Sequence, residues 1–252
     1  MRKRKKRFVV WLTFHSGLKL VFSALLFMLI VFIYTYELPA ARTWTQWTLP
    51  LSGKTIALDA GHGGPDGGAA SKEGVIEKDI NLAIALHLRD YLQQAGAVVV
   101  MTREEDEDLA DSDTKGYSRR KTEDLLRRAD FIKQRKSDLF VSIHLNSIPS
   151  AKWRGAQTFY YPNHADNPVL AALIQEELKK NLENTDRIAK LADKKIYLLQ
   201  VLKMPSALVE VGFLSNPEEA RMLANEKYQK KVAASVYQGI LRYYSGEKVG
   251  SN

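Results

Sequence analysis

The sequence KTIALDAGHGGPDGG, residues 54–68, joins a short apolar run to a glycine-rich turn that carries one histidine. Residues 55–58 predict a buried strand, because the run is long enough to cross a sheet and too short for a helix. The glycines that follow have no side chains, so we expect His62 at the carboxyl end of this strand with few bulky groups around it. Ligands bind at that end in open α/β sheets. The motif alone is equally typical of a surface turn with an incidental histidine.

Strand and helix patterns alternate through the chain that follows. Residues 77–94 have apolar side chains at helical spacing, and residues 97–102 and 138–145 are short apolar runs typical of strands. Further strands are predicted at residues 156–161 and 207–211, and further helices at residues 125–136, 167–183 and 228–243, with a short one after residue 215. This alternation predicts a single α/β domain with a mostly parallel sheet that helices cover on both faces.

The composition limits the classes of partner. The 252 residues are 45% hydrophobic, which is enough for a sizeable core, and the absence of cysteine excludes disulfides and cysteine-ligated metals. The net charge is +8, but six of the first seven residues are Arg or Lys. Beyond residue 41, 30 basic residues stand against 28 acidic ones. The body of the chain is nearly neutral, so we expect no nucleic-acid partner.

Residues 1–36 predict a basic N-terminus followed by a transmembrane signal or anchor segment. Residues 20–36 contain no charged side chain, and the polybasic start favours insertion with the N-terminus in the cytoplasm. We expect the remainder outside the cytoplasmic membrane, either anchored to it or secreted after cleavage. The remainder is predicted to comprise a tether at residues 37–52, a folded domain at residues 53–244 and a polar tail at residues 245–252.

An acidic stretch interrupts the alternation of strands and helices at residues 104–113, where seven of ten residues are Asp or Glu. This stretch is too charged to enter a core, so it predicts a solvated excursion. Its position also leaves open a role as a lid or as a docking site for a partner.

Four polar side chains stand at positions that a parallel sheet would bring to one edge. His62 and His144 end predicted strands, Glu210 lies near the end of a third, and Glu77 begins a predicted helix. Two histidines and a carboxylate form a common catalytic zinc set that leaves one position for water. A second carboxylate beside that water would complete a hydrolytic site.

Each of these residues also has a purely structural interpretation. His62 could be a turn residue, and His144 could be a histidine at a strand end with its hydrogen bonds made. Glu77 could stabilise the N-terminus of its helix, where the helix dipole favours an acid. Glu210 is harder to explain in this way, because an ionised carboxylate in an apolar strand is costly to bury without a partner or a metal. The residues alone leave both interpretations open.

Four longer motifs, LDAGHGG, GVIEKDINL, DLFVSIHLNS and ALVEVGFLSNP, occur in this order along the chain. Together they closely resemble the zinc-dependent N-acetylmuramoyl-L-alanine amidases of the third amidase family, over residues 53–244. The resemblance implies one zinc ion bound by His62, Glu77 and His144, with Glu210 as the catalytic carboxylate. It also implies that the substrate is peptidoglycan and that the enzyme hydrolyses the amide bond between N-acetylmuramic acid and L-alanine.

The short domain behind one membrane segment, without wall-binding repeats, looks most like the members of this family that act on the spore cortex. This likeness implies removal of the stem peptide for muramic lactam formation, a role in sporulation and germination, and a location between the spore membranes. It leaves open an accessory protein at the spore envelope. A zinc exopeptidase that acts on stem peptides and a noncatalytic wall-binding protein remain as alternatives.

Overall fold

The computed structural model describes residues 13–35, 49–193 and 196–250. Helix α1, Phe14–Thr35, belongs to a first unit, Met1–Thr48. Its span Phe14–Ile33 is long and apolar enough to cross a membrane, with a mean hydropathy of 2.4, as in an anchor or a signal sequence. The predicted basic start, most of the predicted tether and the end of the predicted tail (residues 1–12, 36–48 and 251–252) lie outside the described residues. The bounds of the four predicted segments therefore stay predictions.

A second compact unit, Leu49–Asn252, contains one six-stranded sheet. Its strands are β1 (Thr55–Ala60), β2 (Val98–Met101), β3 (Leu139–Asn146), β4 (Gln157–Tyr160), β5 (Lys190–Leu191) and β6 (Ser206–Phe213). Their order in the sheet is β2-β1-β3-β6-β4-β5. Strands β2, β1, β3 and β6 run parallel, whereas β4 pairs antiparallel with β6. The prediction of a mostly parallel α/β sheet is confirmed.

Helices cover both faces of this sheet. They are α2 (Glu77–Gln94), α3 (Tyr117–Gln134), α4 (Asn167–Leu182), α5 (Tyr197–Val201), α6 (Pro217–Leu223) and α7 (Glu226–Tyr244). Helix α2 begins and ends at the predicted residues, and Pro168 fits the first turn of α4, where its missing N–H costs nothing.

The alternation of side chains along β3 separates two hydrophobic cores. Val141 and Ile143 belong to the larger core, which α2, α4 and α7 cover, whereas Phe140 belongs to a smaller core with α3 and α5. Because successive side chains of a strand point to opposite faces, Ser142 and His144 share the face of Phe140. The polar end of the central strands therefore opens towards α3 and α5.

Helix α3 begins at Tyr117, eight residues before the predicted start at residue 125. Basic side chains in the first turns of this helix are paired with acids from other segments. Arg120 Nε lies 2.6 Å from Asp108 Oδ2, and Lys121 Nζ lies 2.9 Å from Asp66 Oδ2. These ion pairs fix the first turns of the helix, so the prediction of the helix start was wrong.

The acidic stretch at residues 104–113 is largely exposed, as expected, but it is anchored to the domain. Asp106 accepts hydrogen bonds from Lys78 Nζ, at 2.6 Å, and from the backbone N–H of Gly64, at 2.9 Å. Asp111 pairs with Arg127 of α3. The stretch thus lies against the glycine-rich turn that follows β1.

Candidate metal centre

The structure brings His62, Glu77 and His144 together at the carboxyl end of the parallel strands. One possible ligand atom from each residue lies within 4.8 Å of the other two. Glu77 Oε1 lies 3.2 Å from His62 Nε2 and 3.2 Å from His144 Nδ1. These residues are separated by up to 82 positions in the chain, and the parallel connections bring them to one point.

Glycines make this close approach possible. A Cβ atom on Gly61 would lie 2.3 Å from the His144 ring, and one on Gly68 would lie 2.6 Å from Glu77 Oε2. His62 itself has a φ of 65°, a left-handed conformation that is uncommon for residues with a side chain. The turn after β1 is therefore shaped around the three side chains.

Glu77 is held in place by the backbone on both sides. Its Oε1 accepts a hydrogen bond from the N–H of Leu145 at 3.0 Å, and its Oε2 accepts one from the N–H of Ala69 at 2.9 Å. Burial alone would raise the pKa of this carboxyl group, but hydrogen bonds and charge from His144 and His62 lower it well below its usual range. A buried, ionised carboxylate thus faces both histidines.

Asp66 orients the His62 ring. Its Oδ2 lies 2.9 Å from His62 Nδ1, and its Oδ1 accepts a hydrogen bond from the Tyr117 hydroxyl at 2.7 Å. Burial lowers the pKa of His62, but the contacts with Asp66 and Glu77 outweigh this effect and raise the pKa to about 9. The contact at Nδ1 leaves Nε2 directed at the cluster, as in the carboxylate–histidine pairs of metal sites.

Glu210 lies beside this cluster on β6, directly opposite His144 on β3. Its Oε2 is buried and has no hydrogen-bond partner among the described residues. Burial raises the pKa of Glu210 to about 7, and Glu77 adds to this effect while His144 and His62 oppose it. A carboxyl group with this pKa exchanges a proton readily near neutral pH.

Two buried arginines hold the turn that carries His62. Arg128 donates to the carbonyl oxygen of His62 at 2.6 Å and to that of Ala60 at 2.9 Å. Arg103 donates to the carbonyl oxygens of Ala60, at 2.9 Å, and Gly61, at 3.1 Å. The backbone from residue 60 to residue 62 is thereby fixed by two side chains that are at most 2% exposed.

Asp59 balances the charge of Arg128. The Asp59 carboxylate lies 2.8 Å from Arg128 Nη1 and also accepts hydrogen bonds from Thr102 and Ser142. Burial would raise the pKa of Asp59, but the Arg128 guanidinium, His144 and the Ser142 hydroxyl together lower it to about 2. Asp59 is therefore ionised at neutral pH inside the protein.

The sequence analysis did not identify Asp59, Asp66, Arg103 or Arg128 as parts of the site. Asp59 could have been noticed, since it stands inside an apolar strand in the same way as Glu210. No local pattern marks the two arginines, because their partners lie 43 and 69 positions away.

The donor atoms fit a metal ion. Zinc bonds of about 2.0–2.1 Å in a tetrahedron separate neighbouring ligand atoms by about 3.3–3.4 Å. The 3.2 Å distances from Glu77 Oε1 to the histidine nitrogens agree with this value. Two nitrogens and one carboxylate oxygen are also a donor set that zinc takes in catalytic sites.

A cavity of about 310 Å³ opens beside the cluster. Its walls include His62, Glu77, His144 and Glu210, and the apolar side opposite them includes Phe140, Ile196, Leu198, Leu199 and Leu208. This volume is at the lower end of the range for small-molecule sites. The four predicted site residues therefore share one solvent-accessible space.

A two-histidine, one-carboxylate cluster with a second carboxylate beside it is typical of metal-dependent hydrolases. The sequence profile of the N-acetylmuramoyl-L-alanine amidases matches residues 56–242, which is most of the chain. The chain belongs to this family, and the prediction of an N-acetylmuramoyl-L-alanine amidase is confirmed.

Two relatives support this assignment, one of them over nearly the whole length of both chains. The chain is 52% identical to the germination-specific N-acetylmuramoyl-L-alanine amidase of Bacillus subtilis over 245 residues, which cover 97% of each chain. It is 35% identical to the N-acetylmuramoyl-L-alanine amidase LytC of the same organism, over 81% of this chain and 38% of that one.

Solved structures have the same fold. The CwlD amidase of Clostridioides difficile, determined in complex with the GerS lipoprotein, matches with a TM-score of 0.75 and 44% identity, over 77% of this chain and 100% of that one. The amidase AmiC2 of Nostoc punctiforme matches with a TM-score of 0.65 and 29% identity, over 77% and 99% of the two chains.

We expect Asp59→Asn to lower the free energy of unfolding at pH 7 by about 1.5–3 kcal/mol, because the buried Arg128 guanidinium loses one of its two paired carboxylates and keeps only Asp124. In the native protein, the stabilisation from ionised Asp59 is fully present above the unfolded pKa of 3.8 and is lost as the pH falls through about 2. In the variant, the free energy of unfolding should no longer contain this contribution, which is lost at low pH. Urea unfolding at a series of pH values measures both effects.

Asp130→Asn is the matched control, since the one ion pair of Asp130 with a described residue is an exposed contact with Lys133 at 3.9 Å. Its expected effect is below about 1 kcal/mol. Equal stability losses in the two variants would contradict the role given to Asp59.

Proposed function

We propose that the chain is a zinc-dependent hydrolase that cleaves the amide bond between N-acetylmuramic acid and L-alanine in peptidoglycan. In this proposal His62, Glu77 and His144 bind one zinc ion, and Glu210 is the catalytic carboxylate. The observation that carries it is the convergence of three donor atoms within 4.8 Å of one another, next to an unpartnered carboxylate oxygen in the same cavity.

Zinc, when bound, polarises the scissile carbonyl group and lowers the pKa of a bound water molecule from 15.7 to about 7. The residues of the chain supply the remaining steps. Glu210 takes a proton from the attacking water as its oxygen bonds to the carbonyl carbon, and the same carboxyl group returns the proton to the alanine nitrogen as the C–N bond breaks. Burial raises the pKa of Glu210 in the metal-free protein, and a zinc cation beside it would lower this pKa again, so that the carboxylate is ionised and able to accept a proton at neutral pH.

The side chains of Glu77 and His62 are held in place before the metal and the substrate bind. Backbone N–H groups fix both oxygens of Glu77, and Asp66 fixes the His62 ring, so the donor atoms need little rearrangement to receive the metal. Glu210 Oε2 lacks a partner in the described residues and is free to bind the water proton. The site is thus organised in advance of substrate binding.

Glu210→Gln is expected to lower turnover at least about 10²-fold while zinc content stays near that of the wild type, since the amide cannot take a proton. His144→Ala should lose both turnover and zinc. The assay uses the full-length protein in detergent on purified peptidoglycan, with zinc or with a chelator, and measures new N-terminal L-alanine. Metal content is measured on the same samples.

The products separate the alternatives. An exopeptidase would release amino acids and leave the muramyl amide intact, and a noncatalytic protein would bind glycan without cleavage. Retained turnover in the Glu210→Gln variant would rule out the proposed role of that residue.

Asp66→Asn should weaken zinc binding by about 10–100-fold, the usual effect of removing a carboxylate that orients a metal-binding histidine. Competition with a chelating dye measures the affinity without relying on turnover. Asp111→Asn serves as the control, because Asp111 pairs with Arg127 on the surface. An unchanged affinity in the Asp66 variant would show that His62 does not need this contact.

We also propose that the enzyme acts on the spore cortex from outside the cytoplasmic membrane, between the spore membranes. The 52% identity to a germination-specific amidase and the apolar helix α1 support this location. The likeness to CwlD over 77% of this chain, in a structure determined with the GerS lipoprotein, supports an accessory lipoprotein as a partner. If the folded, zinc-loaded protein releases no alanine termini by itself, adding spore-envelope extract to the same assay tests this partner.

Deletion of the gene should give spores whose cortex lacks muramic lactam, because the stem peptide must be removed before the lactam ring can form. Complementation with Asp130→Asn should restore the lactam, whereas complementation with Glu210→Gln should not. Chromatography of digested cortex measures the lactam, and a normal content in the deletion strain would contradict the cortex role.

A further inference from the structure

The pairing of β3, β6 and β4 places further residues in line with the metal centre. His144 on β3 lies opposite Glu210 on β6, and Glu210 lies opposite Gln157 on β4. Neighbouring strands are about 4.8 Å apart, so these residues form a row across the sheet in which Gln157 stands about 10 Å from His144. Paired residues share a face of the sheet, and Gln157 therefore borders the same side as the catalytic carboxylate.

Arg187 is fixed at the end of this row. Its Nη1 donates to Gln157 Oε1 at 3.1 Å, and its Nε donates to the carbonyl oxygen of Arg154 at 3.3 Å. The guanidinium group lies 5.5 Å from the centre of the Trp153 ring and 5.3 Å from that of Phe213. Two hydrogen bonds and two aromatic contacts hold this side chain in one place.

The charge of Arg187 has no direct counter-charge. Within the described part of the chain, no carboxylate lies within 4.0 Å of its guanidinium group, whereas five arginines are paired with acids: Arg89, Arg120, Arg127, Arg128 and Arg242. Five further described arginines also lack an ion pair, so the feature that distinguishes Arg187 is its fixed position at the end of the row that begins at His144. The nearby carboxylate of Glu219 is engaged elsewhere, because it accepts hydrogen bonds from the N–H groups of Gly155, at 2.8 Å, and Phe213, at 2.9 Å.

Arg187 lies outside the cavity of the metal cluster and borders two neighbouring cavities. A fixed, unpaired guanidinium group in the same row as the reaction centre, two strands away from it, is suited to bind a carboxylate of the substrate that lies beyond the cleaved bond. In the proposed substrate, the glycan offers none at the cleavage site, since the lactyl carboxyl group of muramic acid forms the amide that is cut. The first free carboxylate belongs to the D-glutamyl residue that follows L-alanine. An extended peptide advances about 3.3–3.6 Å per residue, so two residues cover about 7 Å of the row.

We propose that Arg187, supported by Gln157 and Trp153, binds the α-carboxylate of the D-glutamyl residue in the stem peptide and selects substrates in which this group is free. The inference rests on the proposed amidase function, because it places the peptide side of the cleaved bond over β6 and β4. Trp153 is 50% exposed and provides the surface against which the guanidinium group and the peptide lie. Arg187 is thereby a specificity-determining residue for the amidase reaction.

The test compares two muramyl tripeptides that differ only in whether the α-carboxyl group of the D-glutamyl residue is free or amidated. Wild-type holoenzyme should cleave the free acid with a kcat/KM about tenfold or more higher, mainly through KM, as expected for one charge-assisted contact. Arg187→Gln should remove this preference by slowing cleavage of the acid while leaving the amidated substrate nearly unchanged. That unchanged rate also shows that the variant is folded.

Arg135→Gln is the matched control. Arg135 also lies over an aromatic ring, that of Phe131 at 4.9 Å, but it stands at the end of α3. The control should keep the wild-type preference. An equal loss on both substrates in the Arg187 variant, or no preference in the wild type, would overturn the proposal.

Equilibrium binding separates this inference from the amidase function. Calorimetry with the product peptide L-alanyl-D-glutamate and with L-alanyl-D-isoglutamine measures the same preference without turnover. If the wild type cleaves neither muramyl tripeptide but still binds the acid about tenfold more tightly through Arg187, the amidase proposal fails and the carboxylate site stands. Equal binding of both peptides would refute the site itself.

Discussion

The hydrogen bonds from Arg103 and Arg128 to the turn after β1 are the contacts on which the rest of the site depends. These two buried guanidinium groups donate hydrogen bonds to the carbonyl oxygens of residues 60–62. Asp59 and Asp124 together supply the counter-charge that the buried Arg128 requires, and an uncompensated charge of this kind typically costs about 3–5 kcal/mol. That cost is a large share of the stability of an ordinary domain, about 5–15 kcal/mol. Folding and the placement of His62 are therefore linked through one network.

The left-handed backbone at His62 shows why this network is needed. Such a conformation costs about 1–2 kcal/mol for a residue with a side chain, so it persists only where the surroundings impose it. Arg128 holds the His62 carbonyl oxygen, and Asp66 holds its ring. Gly61 and Gly68 leave the room that His144 and Glu77 occupy. Strain at one residue is thus offset by contacts that also aim its side chain.

Local sequence was sufficient to predict the central strands and to place His62, Glu77, His144 and Glu210 at one edge of the sheet, because each of these residues stands near a strand end or at a helix start. The roles of these four residues came from the family resemblance and stay predictions. Local sequence was insufficient for the start of α3, where Arg120 and Lys121 pair with Asp108 and Asp66 from other segments of the chain. Helix α5 has only five residues, too few to establish a period. The buried arginines escaped notice since their partners are distant in the chain. A local sequence pattern reflects residues that are close together in the chain. The start of α3 and the buried arginines depend on contacts between distant segments, so local patterns do not predict them.

The antiparallel direction of β4 has a consequence for how this architecture can vary. Because β4 runs against β6, the rim beside Glu210 receives the beginning of β4, and residues 153–157 enter from a loop. The side of the cleft that carries His62 is tied to the interior by Arg103 and Arg128, whereas the opposite side is attached through surface loops and the outer strands β4 and β5. Substitutions or insertions in those loops can therefore change which peptides are accepted without moving the groups that break the bond. The choice of peptide and the cleavage of the bond therefore depend on different parts of this domain.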